Sequence, residues 1–367
     1  MKFRKSINKT RVISGLRRVT GAFDLTSKKV PGKSVNPLML ADQVKEADGL
    51  EQYNNFFFIH IPKTAGTSFR KALEDKYSVL ADYGPQSVET NALIKASVYD
   101  SNTPLLVKRQ FQELQNQWLT GHVSLKKYSN MVSARHIITF VRDPIERVIS
   151  HYNHSIRYQG YKGDLAAFIK GPQSSNFQKN SLLSLPLGLI GYIGLTDCYD
   201  ESVALINGYY GLDLDIKNAN VNAKKTIEKE AMSVALRKQI SEQNKADIAC
   251  VNEVRFLHKQ RMALTQENKQ WVYSHFAINP NNVLIGCAYY SHSSEAVEFE
   301  VLRNGELIET VIADGFYGGQ PKVNFPRERY IGVHLPLSSH CQKGDKIEVF
   351  AKETGQQLTF KPLTVKK

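Results

Sequence analysis

Cysteine is scarce in this 367-residue chain, and the four present (Cys198, Cys250, Cys287 and Cys341) are too scattered for a disulfide framework, which points to free thiols in a reducing compartment. Those cysteines and the ten histidines show no CxxC or HExxH spacing, so no metal is implied. No apolar run approaches the roughly 20 residues that cross a bilayer, and the N-terminus lacks the apolar core of a signal peptide. There is no internal repeat, and no GxxxxGKS/T loop of the Walker type. These absences predict a soluble, cytoplasmic protein. What remains is an ordinary globular composition, 42% hydrophobic and 23% charged, long enough for one large α/β domain and a smaller one.

A formal charge of +13 would point to nucleic acid if it were spread over a folded surface. It is concentrated instead. Residues 1–33 carry ten Lys/Arg against Asp24 alone, +9, whereas the other 334 residues hold 38 basic and 34 acidic residues, +4. Nucleic acid is therefore not expected as a partner. The tail, with Phe3, Ile7, Leu16 and Phe23 among its cations, suits peripheral contact with an anionic membrane or polymer, or else a solvated leader.

The segment Phe56–Leu73, FFFIHIPKTAGTSFRKAL, runs from an apolar strand through a Lys/Thr/Gly/Ser turn into a helix. The first N–H groups of a helix have no internal partners and sit at the positive end of its dipole, so this turn is an anion cradle. Gly66 would let the backbone approach a phosphate, Thr64, Thr67 and Ser68 add hydroxyls, and Lys63 adds a full charge. A second strand, His136–Val141 (HIITFV), leads directly into RDPIERVISHY. There Asp143 can cap a helix, Pro144 suits its first position, and Glu146 completes a capping box. Arg142 falls at the carboxyl end of that strand, where open α/β sheets bind ligands, and Ser150 lies two turns into the helix. An arginine fork with a hydroxyl beside it suits a terminal phosphate.

The first turn resembles the 5′-phosphosulfate loop, and RDPxxRxxSxY the 3′-phosphate site, of sulfotransferases that use 3′-phosphoadenylyl sulfate (PAPS). Between them lies GHVSL (Gly121–Leu125), which with FVRDPIERVISHY is similar to the heparan sulfate and uronyl 2-O-sulfotransferases. His122 matches their catalytic histidine; a second histidine that the family often carries two residues earlier is Thr120 here. Looser likenesses are Gly191–Ile206, the basic loop Val221–Lys229 with Lys224 and Lys225 as candidate lid contacts, and Asn244–Lys259. The resemblance spans about Phe56–Phe276. It implies PAPS as co-substrate and a carbohydrate acceptor (polysaccharide, oligosaccharide or glycolipid). His122 would be the general base and Lys63 would neutralise the leaving phosphate. Thr64, Ala65, Gly66, Thr67 and Ser68 would hold the 5′-phosphate, and Arg142 and Ser150 the 3′-phosphate.

The fold expected is α/β, a P-loop-like parallel sheet flanked by helices over residues 51–278, after a tail and linker at 1–50. A small all-β sandwich is expected at 279–367, where short strands replace helices: Val283–Tyr290, Ala296–Leu302, Leu307–Ala313, Tyr330–Leu335, Lys346–Ala351 and Gln357–Phe360. Asn304-Gly305 marks a type I′ hairpin. Tyr158–Asn180 reads as a long loop beside the acceptor. Three other functions stay open. A nucleotide kinase would need a Walker lysine and carboxylates for Mg²⁺, a non-catalytic nucleotide or glycan binder would have lost Lys63 or the base, and a nucleic-acid binder would need charge on the folded part.

Overall fold

The computed structural model of the protein describes residues 55–216 and 232–366. The basic tail and the Val221–Lys229 loop, with Lys224 and Lys225, lie outside the described residues.

Five short strands build the central sheet, β1 (Phe56–Ile59) and β4 (Ile137–Val141) richest in β-branched and aromatic residues, with β2 (Ser78–Asp82), β3 (Gln117–Gly121) and β5 (Tyr192–Leu195). They pair in the order β2-β3-β1-β4-β5, all parallel. Every residue of β1, β3, β4 and β5 is buried, as strands covered on both faces must be. The helices of nine or more residues among those described are α1 (Gly66–Glu74), α2 (Pro104–Glu113), α3 (Pro144–Gln159), α4 (Tyr199–Tyr210), α5 (Val234–Gln243) and α6 (Lys245–Gln266).

The strand order decides where a ligand can sit. β1 has β3 on one side and β4 on the other, with Ile59 paired to Gly121 and to Thr139. This is the point at which an open parallel sheet leaves a crevice at its carboxyl edge. Because all strands point the same way, the residues after β1, β2, β3 and β4 emerge along that one edge: the Lys63 turn, Tyr83, His122 and Arg142.

The C-terminal part is antiparallel. Strands β6 (Val272–Ile278), β7 (Val283–Tyr290), β8 (Glu298–Arg303), β9 (Glu306–Ile312), β10 (Gly315–Phe316), β11 (Tyr330–Pro336), β12 (Lys346–Ala351) and β13 (Leu363–Thr364) form two four-stranded sheets, β10-β11-β7-β6 and β13-β12-β8-β9. They share one hydrophobic cluster, with the rings of Phe276 and Phe299 5.3 Å apart. The alternation of strand side chains gives β6 and β7 two apolar faces. Val272, Phe276, Leu284 and Ala288 face the second sheet, while Tyr273, Cys287 and Tyr289 join the core of the parallel sheet. Arg261 of α6 closes this seam, fully enclosed by Trp271 (4.4 Å), Tyr192 (4.9 Å), Tyr209 (5.1 Å) and Tyr273 (5.3 Å) and donating to Gly191 O at 2.7 Å.

Several local expectations differ from what forms. The antiparallel part begins with β6, ahead of residue 279. Gln357–Phe360 is not a regular strand, though it runs beside β12 through the bridge Phe350 to Gln357 and the bond from Leu358 N–H to Val349 O at 2.7 Å, and the edge strand is β13. Tyr158–Asn180 is not a structureless loop: it holds helical turns at Leu165–Phe168, capped by Asp164, and at Phe177–Ser181. Asn304 (φ 52°) and Gly305 (φ 88°) do form the left-handed pair that a type I′ turn requires between β8 and β9.

Candidate active site

The anion loop is built from strained backbone. Lys63 (φ 71°) and Ala65 (φ 68°) both occupy the left-handed region, which costs an L-residue roughly 1–2 kcal/mol each and persists only where surrounding structure enforces it. Ala65 is the N-cap of α1 and offers no side-chain acceptor, so the first turn is not capped from within. Thr64 departs from its expected role. It is buried and its hydroxyl donates to Ile61 O at 2.9 Å, which holds the turn together and removes that proton from a ligand. Thr67 is half-buried and Ser68 buried in the first turn of α1.

Gly66 is needed for a reason beyond close approach of a phosphate. A Cβ there would lie 2.5 Å from Nε2 of His60 and closer still to its Cδ2, so only glycine admits that ring.

After β4 the N-cap forms as its sequence implies: Asp143 accepts from Glu146 N at 3.0 Å with Pro144 at the first helical position, while the Glu146 carboxylate turns to Arg142. Arg142 is clamped by its backbone. Its N–H donates to Gln178 Oε1 at 2.8 Å and its carbonyl accepts from Gln178 Nε2 at 2.9 Å, and Gln178 in turn leans on Asp247. The guanidinium reaches Glu146 at 3.3 Å and stays partly open to solvent. Ser150 is half-buried on α3. Arg147, in contrast, is wholly buried, donating to Gln173 O at 2.8 Å over the Phe177 ring, and belongs to the packing. Tyr152 also packs inside, against Phe168, while Arg157 and Tyr158 at the end of α3 are exposed.

His122 follows β3 on an exposed turn anchored underneath by Asp82. That buried carboxylate accepts from Tyr128 at 2.6 Å, Tyr99 at 2.7 Å and Lys127 at 2.6 Å, fixing the short helix Leu125–Tyr128. Although one edge of His122 is open, its ring stands against His60 (4.5 Å) and Tyr83 (4.7 Å), both edge-on.

Basic groups crowd this edge of the sheet and perturb one another. Burial lowers the Lys63 pKa, and the neighbouring Arg142 and Arg157 lower it further. His122 is pushed below its ordinary value chiefly by burial; Glu89 pulls the other way, and Arg70, His154 and Lys63 add to the depression. It is therefore neutral, a base, at physiological pH. The structure thus brings Lys63, Arg142 and His122 into one electrostatic neighbourhood. His60, Tyr83, Arg70, Glu89, His154 and Gln178 also line or support it without having been singled out in the sequence.

Among curated proteins, none matches the chain. Among solved structures, mouse sulfotransferase SULT7A1 complexed with PAP is 12% identical with a TM-score of 0.31, and the match covers 48% of this chain and 64% of that one. The chain thus spans less than two thirds of the mouse protein. A sulfotransferase from Alicyclobacillus acidocaldarius is 14% identical with a TM-score of 0.31, covering 53% of this chain and 93% of the other. Residues 50–183, which hold the Lys63 turn, His122, Arg142 and Ser150, match the model of the Sulfotransferase family.

Proposed function

We propose that the protein transfers the sulfuryl group of PAPS to a hydroxyl of a carbohydrate acceptor. The observation that carries this is the convergence, at the carboxyl edge of β1, β3 and β4, of a helix start without a side-chain cap, Lys63, His122 and Arg142. Cations facing one another in a partly buried cleft are relieved by an anion, so these residues fit a bisphosphate. Bound there, PAPS supplies an activated sulfuryl group on a phosphate leaving group.

The chain's own contributions follow from position. Lys63 and the first N–H groups of α1, at Gly66 and Thr67, would hold the 5′-phosphate, with the Ser68 side chain beside them; the Ser68 N–H itself donates to Ala65 O at 3.1 Å. Their donors are fixed before reaction, which is what makes such stabilisation effective. Arg142, its backbone locked by Gln178, and Ser150 would hold the 3′-phosphate. His122, kept neutral by its surroundings, accepts the proton of the acceptor hydroxyl, a role worth typically 10²–10⁴-fold. Lys63 would stand where the leaving phosphate oxygen gains negative charge. The carbohydrate acceptor rests on the resemblance of GHVSL and FVRDPIERVISHY, and exposed Arg157 and Tyr158 offer a polar, aromatic wall beside it. A cytoplasmic setting, where four free thiols persist, belongs to the same proposal.

The test is transfer of labelled sulfate from PAPS to a panel of saccharides by the wild type and by His122→Ala. The variant should lose transfer while binding adenosine 3′,5′-bisphosphate as before. Surviving transfer would place the base elsewhere.

A further inference from the structure

His60 is a buried polar side chain beside His122, 6% exposed, and sulfuryl transfer as described gives it nothing to do. Its backbone N–H donates to Gly121 O at 3.1 Å, so it lies level with the residue before His122. The imidazole touches three neighbours at once. Nδ1 shares a hydrogen bond with the Tyr83 hydroxyl at 2.9 Å, one face edge meets the His122 ring 4.5 Å away at 68°, and the Nε2/Cδ2 side lies on Gly66 at the start of α1. Tyr83 completes the triangle, 5.7 Å from His60 at 89° and 4.7 Å from His122 at 82°. It is held from outside by Arg70, 5.0 Å over its ring, which pairs with Glu89 at 2.8 Å and Glu74 at 3.3 Å.

His122 itself makes no hydrogen bond to any described residue. An imidazole that must offer one nitrogen to a substrate needs its rotation fixed, and a hydrogen bond from the other nitrogen normally does this. Here the two edge-on rings are what remain to do it. Edge-to-face aromatic pairs have a preferred geometry and are worth roughly 0.5–1.5 kcal/mol each, enough to bias a side-chain rotation.

We propose that His60 is the positioning residue of His122: wedged between the anion loop and the exposed imidazole, it holds Tyr83, and through the Tyr83 and His60 rings it fixes the angle at which His122 meets the acceptor hydroxyl. This rests on the reading of His122 as the base. It also explains why position 66 must be glycine, since any side chain there displaces the wedge.

His60→Phe keeps a ring in the wedge and removes Nδ1; Tyr83→Phe keeps the other ring and removes the hydroxyl. Both delete the His60–Tyr83 hydrogen bond, and Tyr83→Phe also removes the hydroxyl's contacts with Arg70 and Thr120, so each should lower kcat about tenfold and the double variant should lose far less than the roughly hundredfold expected of independent sites. Affinity for adenosine 3′,5′-bisphosphate, measured calorimetrically, should stay within about twofold. Independently of turnover, the imidazole carbon resonances of His122 should move in both single variants by NMR. Unchanged kcat, multiplicative losses or unmoved His122 resonances would overturn the proposal, and Tyr83→Phe, at a half-buried site, decides it even if His60→Phe folds poorly. Full activity of His122→Ala would remove the base reading instead, and the resonances alone would then decide whether His60 sets that ring.

Discussion

Replacing Gly66 by alanine probes the link between the anion loop and the histidine pair. The backbone at Gly66 lies outside the left-handed region, so alanine is conformationally allowed and, in a helix, favoured over glycine by up to about 1 kcal/mol. The obstacle is the His60 ring: the new Cβ would sit 2.5 Å from Nε2 and 3.0 Å from Cγ, about 0.9 and 0.4 Å inside ordinary 3.4 Å contact. The ring cannot swing away freely, because Tyr83 holds it and Phe58, stacked at 5.8 Å, and His122 flank it. Overpacking of this kind costs roughly 1–3 kcal/mol, and loss of the Tyr83 bond adds about 1. Against the helix gain, Gly66→Ala should destabilise by roughly 1–3 kcal/mol. Urea unfolding of four proteins isolates the cause: wild type, Gly66→Ala, His60→Ala and the double variant. In the His60→Ala background the clash is gone, so Gly66→Ala should be neutral or stabilising by up to about 1 kcal/mol. An equal cost in both backgrounds, or no cost in the wild type, would refute the wedge.

Other expectations concern charge and packing. Lys63→Ala and Arg142→Ala should each weaken binding of adenosine 3′,5′-bisphosphate by roughly 10–100-fold, the worth of a charged hydrogen bond, as read by calorimetry; unchanged affinity in both would reject the cofactor cleft. In the free protein, NMR titration of His122 should give a pKa below its ordinary ~6.5, so the base form survives as pH falls through that value. Lys63→Ala, which removes a depressing cation, should raise it, and Glu89→Gln, which removes the opposing carboxylate, should lower it. Arg261→Ala opens a hole among four aromatic rings at the seam of the two sheet systems and should cost roughly 3 kcal/mol in urea unfolding without altering bisphosphate affinity.

The parts of the site that sequence makes legible are those written in one contiguous stretch. FFFI and IITFV are short, mainly apolar runs that become buried parallel strands, and Asp143-Pro144-Glu146 marks a helix start within four residues. Asn304-Gly305 is a pair that tolerates positive φ at both positions, which a type I′ turn requires. Contacts between distant segments are not written this way. His60 stands in the very motif that marks the loop, yet its partner His122 is brought to it only by the pairing of Ile59 with Gly121, and Tyr83 only by β2 lying beyond β3. Gln178 sits in a stretch rich in Gly, Ser, Gln and Asn that has no apolar period, so nothing local announces that it clamps Arg142. For Thr64, sequence shows the hydroxyl donor and not its nearer acceptor, Ile61 O.

The most direct test of PAPS-dependent transfer is calorimetric titration of the purified protein with adenosine 3′,5′-bisphosphate, run beside ATP with Mg²⁺. Tight, metal-independent binding of the bisphosphate, lost in Lys63→Ala, is the predicted result. No binding, or a preference for MgATP, would contradict it and return the cleft to the kinase or non-enzymatic readings.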